Sequence, residues 1–66
     1  MKPGDLCRIV HPAWREWSDS NICMIHRPVT NEDGIDIAAH CDWWVLWDDR
    51  ETAWAKEDLE VIDEAG

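Results

Sequence analysis

Residues 41–54 read CDWWVLWDDRETAW and hold four of the six tryptophans of this 66-residue chain. A strand sends successive side chains to opposite faces. Trp43, Val45 and Trp47 therefore share one face, and Trp44 and Leu46 take the other. Indole on both sides of one strand constrains a small chain more than any other feature here. A domain of about 60 residues buries only about 60% of the surface its unfolded chain exposes. Such a domain compensates with staples, metal, partners or large core side chains. An indole buries roughly 150–250 Å², worth about 4–6 kcal/mol before entropy at roughly 25 cal/mol per Å². Two or three buried rings make a substantial core, and six exceed what a domain this size can enclose. Some tryptophans are therefore expected at the surface, where Trp is enriched among binding hot spots. With no Phe or Tyr in the chain, Trp supplies every aromatic contact apart from His.

The rest of the chain reads as short strands divided by turn signals. Pro3-Gly4 marks a turn, and Leu6 to Val10 alternates, with Cys7 and Ile9 on one face. Residues 12–21, PAWREWSDSN, begin with Pro, end in Ser, Asp and Asn, and predict a loop carrying Trp14 and Trp17. Residues 22–29 form the next strand, with Cys23, Ile25, Arg27 and Val29 on one parity, and Pro28 ends it or marks an edge. Cys7 and Cys23 are expected as core neighbours on antiparallel strands. Asp33-Gly34 is a turn signal, and Ile35 and Ile37 around Asp36 suggest a short strand. After the Trp-rich strand, DDRE lacks Gly and predicts a type I turn with Asp leading. TAWA returns, Lys56-Glu57-Asp58 predicts one 3₁₀ turn, LEVI at 59–62 closes, and 63–66 should fray. The fold class expected is all-β, one domain over 1–66, a small five-stranded barrel with one short 3₁₀ turn before the last strand.

Charge is uneven. Residues 1–30 carry four bases against three acids, net +1, and residues 31–66 carry two bases against twelve acids, net −10. The total of −9 repels nucleic acid and anionic membrane and suits a basic protein partner or a solvated surface. The longest apolar run, Trp43–Trp47, is far short of the roughly 20 residues a spanning helix needs. Three cysteines at irregular spacing do not resemble a secreted disulfide framework, so a reducing cytoplasm is expected.

Two stretches carry a resemblance. KPGDLCRIV resembles the opening of SH3-like barrels, where a Pro-Gly-Asp turn feeds the first strand. WWVLWDDRETAWAKEDLEVI resembles their closing half, as in Tudor-like and KOW-like barrels. The resemblance covers residues 2–10 and 43–62. It implies an SH3-like barrel whose penultimate hairpin is shared between core and outer face. Trp44 and Leu46 would then lie outside beside Trp54, with the Trp14/Trp17 loop folded over them. Such barrels serve many functions, so the fold does not name one.

The expected site is an aromatic and acidic binding surface of Trp14, Trp17, Trp44, Trp54, Asp48, Asp49 and Glu51. Aromatic grooves of this kind take polyproline segments, and aromatic cages take methylated lysine. A metal site from Cys7, His11, Cys23, His26, His40 and Cys41 lacks close-paired ligand spacing, so no metal or cofactor is expected. Nothing positions Cys41 with His26 or His40 as nucleophile and base, so no enzymatic activity is expected. The function expected is a non-enzymatic module whose exposed Trp anchors and acidic surface engage a basic protein. One alternative is a nucleic-acid mimic that inhibits a DNA- or RNA-handling enzyme. It fits the resemblance to small acidic phage inhibitors, and the host cytoplasm would be its compartment. The other is a metal-stapled or homodimeric structural subunit.

Overall fold

The computed structural model describes residues 1–65. Five strands form one antiparallel sheet: β1 (Leu6–Ile9), β2 (Ile22–Pro28), β3 (Trp43–Trp47), β4 (Arg50–Trp54) and β5 (Leu59–Asp63). Their order in the sheet is β4-β3-β2-β1-β5. Each of β1 to β4 pairs with its neighbour in sequence, and β5 crosses back to pair with β1. The fold is mostly β. The outermost strands, β4 and β5, do not pair, so the sheet stays open where a closed barrel was expected.

The core follows from strand alternation. Cys7 and Ile9 of β1, Cys23 and Ile25 of β2, Val45 and Trp47 of β3, and Leu59 of β5 are buried together. Trp14, Trp43, Trp54 and Val61 pack against them. Cys7 sits directly opposite Cys23, and Ile25 opposite Val45, so the inner face is one continuous layer. Cys7 and Cys23 are free thiols.

Two irregularities re-aim side chains. Between Ile25 and Arg27 the register with β3 shifts, so that Arg27 lies opposite Trp44. An extra residue in one strand of a pair bends it and changes which face the next side chain takes. Arg27 therefore leaves the parity it shares with Ile25 in the sequence and moves to the outer face. A second shift, at Leu6/Cys7, brings Leu6 opposite Asp63 and Cys7 opposite Val61, leaving Ile62 extra on β5.

Three segments depart from the sequence expectation. Residues Pro12–Glu16 form a 3₁₀ turn in place of open loop, with Pro at its start and His11 Nδ1 accepting from the Ala13 N–H at 3.1 Å. Proline's fixed φ and missing N–H suit that first position. The strand expected at Ile35 and Ile37 is instead the start of helix α1 (Ile35–His40). No neighbouring strand is there to receive their backbone groups, and local bonds such as Ala38 N–H to Gly34 C=O, 2.9 Å, satisfy them. The Asp48-Asp49 turn is left-handed at both residues, φ 53° and 61°, so it is not type I. Trp47 pairs with Arg50, and the two-residue loop between them has the φ signs of a type I′ hairpin turn, which matches the strand twist.

The 3₁₀ turn expected before the last strand is present at Lys56–Asp58. At the far end Asp63 belongs to β5, and the Ala65 N–H donates to Asp5 Oδ1 at 2.8 Å. Lys2 N–H donates to Asp5 Oδ2 at 2.9 Å. Asp5 is only 2% exposed because the two chain ends close over it, although it lies at the margin of the sheet. The Ala65 bond above all, with help from Lys2, holds its carboxyl below the usual range.

Candidate functional site

The β3–β4 hairpin and the first 3₁₀ turn together build the most distinctive surface of the molecule. Trp47 and Trp54 both point to the inner face, where their rings meet edge to face with centroids 6.0 Å apart. His11 packs on the other side of Trp54, at 6.1 Å. Both hairpin indoles have their N–H groups engaged within the chain. Trp47 Nε1–H donates to the Ser20 carbonyl at 2.7 Å, tying the loop after the 3₁₀ turn across the hairpin. Trp54 Nε1–H donates to Thr52 Oγ1 at 3.0 Å. An indole with its donor occupied presents only apolar surface to a ligand.

Trp17 stands over this floor and is 60% exposed, the most exposed of the tryptophans. It separates two depressions. One is a slot of about 220 Å³ lined by Trp17, Trp47, Arg50, Thr52 and Trp54. The other is a broader cleft of about 540 Å³, lined on its charged side by Arg15, Glu16, Asp19 and Asp48. Arg50 lines the slot, with Nη2 at 3.4 Å from the Trp17 carbonyl and 3.4 Å from Oδ2 of Asp48, which lines the cleft. Contacts that long are weak, which leaves the guanidinium free to exchange partners.

Trp17 and Trp54 are thus brought together, but the rest of the expected surface is divided. Trp14 turns inward against the core, with the Arg15 guanidinium 5.7 Å from its ring. Trp44 lies on the opposite side of the sheet from Trp54, because Trp54 pairs with Trp43 and Trp44 with Ala53. The expected contact between Trp44 and Trp54 is therefore absent. Asp48 lines the cleft, Asp49 is exposed at the tip of the turn, and Glu51 faces outward. Glu51 there accepts from Arg27 at 3.4 Å and stands 3.1 Å from His26 Nε2.

Trp44 is engaged rather than free. The Arg27 guanidinium sits 5.0 Å from its ring, and Arg27 Nη1 also bonds both carboxylate oxygens of Asp33 at 3.1 Å. Asp33 is drawn down to about 2, first by the Thr30 N–H, then by the Trp44 side chain, with Arg27 adding to both. The Trp44 N–H is buried and favours the charged carboxylate, yet no acceptor meets it in hydrogen-bonding geometry. The contact is therefore electrostatic and not a formed hydrogen bond.

The sequence reading missed Trp47, Thr52, Arg50, Glu16 and Asp19 as lining residues. Counting back from a two-residue turn would have found the first three, since Arg50, Thr52 and Trp54 then share the face of Trp47. Among the described residues no three His, Cys, Asp or Glu side chains gather where one metal ion would fit. No helix among them is long and apolar enough to cross a membrane. Comparison with models of known protein families, with curated protein sequences and with solved structures found no match.

Proposed function

We propose that this chain is a non-enzymatic module that grips a short extended segment of a basic protein. An apolar side chain of the segment, proline foremost, enters the slot between Trp17 and Trp54. A neighbouring lysine or arginine lies in the cleft against Glu16, Asp19 and Asp48. The observation that carries this reading is the placement of Trp17, an exposed indole shared by an apolar slot and an acidic cleft. Flat rings held by internal bonds lose little freedom on binding, and the excess negative charge steers a cationic partner. The SH3-like resemblance supports the same mode, since aromatic grooves in those folds receive proline-rich segments. Two features support the resemblance: β1 paired to both β2 and β5, and a single 3₁₀ turn leading into the last strand.

The test is titration of the protein with short proline-containing peptides bearing lysine or arginine, followed by tryptophan fluorescence. Trp17→Ala should weaken binding at least about 30-fold, the loss of one hot-spot side chain of about 2 kcal/mol. Trp44→Ala should leave it within about threefold, because that ring is on the other face. Equal losses in the two variants, or no affinity for any such peptide, would refute the proposal.

A further inference from the structure

The outer face of the sheet carries an apolar row that no element of the described chain covers. Met24 pairs with Leu6 on one side and Leu46 on the other, and Ile62 sits in the bulge beside Leu6. These four side chains run across β3, β2, β1 and β5, with Ile22 adjoining on β2. All five are 37–43% exposed. Together they leave about 400 Å² exposed, within the range of the largest apolar patch on a monomer, which is often functional.

The charges around this row differ from those of the rest of the molecule. The outward residues of the five strands include Arg8 and Arg27 against Glu51, Glu60 and Asp63, which stands opposite Leu6, a sum of −1 in a chain of −9. Two of the three acids have a base at hand: Arg8 lies 3.6 Å from Glu60 and Arg27 lies 3.4 Å from Glu51. Nearly all of the excess negative charge is elsewhere. A basic partner has little electrostatic reason to choose this face over the acidic remainder. A second copy of so acidic a chain, by contrast, approaches most easily where the charge is nearest to balance.

We propose that the row Leu46–Met24–Leu6–Ile62 is a self-association surface that packs two copies of this chain face to face, leaving the indole slot of each copy open. Two such rows and their flanking polar side chains would bury roughly 1,200 Å², the lower limit of specific interfaces, so the dimer is weak, with a Kd on the order of 100 µM. The nearly balanced face removes most of the local repulsion, but the remaining charge of each copy still opposes pairing at long range. Added salt therefore strengthens the dimer by screening, the opposite of its effect on a basic ligand in the slot.

Sedimentation equilibrium of the full chain at up to roughly 1 mM tests this, at about 20 mM and about 0.5 M NaCl. The expected result is a monomer–dimer equilibrium at least about threefold tighter at the higher salt. Met24→Lys should weaken it at least tenfold, roughly a hot-spot loss, even though it lowers the net negative charge. Trp17→Ala should leave it unchanged. A monomer throughout, a dimer weakened by salt, or a dimer that survives Met24→Lys would each overturn the proposal. Concentration-dependent amide shifts in the wild-type chain give a readout independent of whether the variant folds. They should cluster at Leu6, Met24, Leu46 and Ile62, and clustering at Trp17 and Trp54 would overturn the assignment of the face.

Discussion

Replacing Asp49 by glycine should stabilise the protein, and the size of the gain follows from the hairpin. With Trp47 paired to Arg50, Asp48 and Asp49 alone make the reversal, both with positive φ. A residue bearing a Cβ is strained in that region by about 1 kcal/mol, somewhat less for aspartate, whose short polar side chain tolerates it. Glycine removes the strain but widens the unfolded ensemble, which offsets about 0.5 kcal/mol. Separating two adjacent exposed carboxylates in a chain of −9 adds a few tenths of a kcal/mol. The net is about 0.5–1 kcal/mol, or about 3–6 °C in Tm for a domain this small. Urea unfolding followed by tryptophan fluorescence, with calorimetry alongside, measures it. Asp49→Asn loses the charge and keeps the tolerance for positive φ, so it should gain only the electrostatic part. Asp49→Val, branched at Cβ, should lose more than about 1 kcal/mol. The reasoning fails if Gly and Asn gain equally, because charge and not backbone geometry would then be the whole effect.

Acid should destabilise the fold through Asp5 and Asp33. Both carboxyls are held below their ordinary value of 3.8 in the folded state, so the stability they contribute is present above that value and is lost as pH falls through the folded pKa, about 2 for Asp33. Urea midpoints should fall between about pH 4 and pH 2, and Asp33→Asn should flatten the slope; an unchanged slope would refute the assignment. Cys41, half-buried, should react with iodoacetamide before the buried pair Cys7 and Cys23. Burial pushes all three thiols up, Cys23 to about 12, so all should react slowly at neutral pH, with the order read by mass spectrometry. Early labelling of Cys23 would contradict the packing described.

Alternation made the inner face legible. Cys7 with Ile9, Cys23 with Ile25, and Val45 with Trp47 were paired by parity alone, and each pair is buried. What alternation cannot carry is any event that inserts a residue. Arg27 has the parity of Ile25, and only the bulge opposite Trp44 places it outside. Trp54 lies on the inner face, not beside Trp44, for a related reason. A short return strand has no parity of its own, and its face is set by the length of the turn before it. Aspartate at both turn positions hid that length, since neither Gly nor Asn advertised a left-handed reversal. At Ile35 and Ile37 an alternating pattern was present but no strand lay alongside to pair with, so local helical bonds prevailed. Which surface tryptophans share a site depends on these same events, so the sequence shows only half of the slot: it offers Trp17 and Trp54 but not the Trp47 floor between them.

The meeting of the chain ends at Asp5 also settles how the molecule would respond to force. Leu6 and Asp63 face each other at the margin where both ends leave the sheet, while Ile9 and Leu59 lie at the protected end of the same ladder. Traction on the two ends therefore loads the β1–β5 rungs one after another, like a zip, and never all at once in shear. Once the grip of Asp5 on Lys2 and Ala65 is broken, β5 peels away from its outer end inward, and the pull then passes through the 3₁₀ turn at Lys56–Asp58 to Trp54 of β4, the other edge of the sheet.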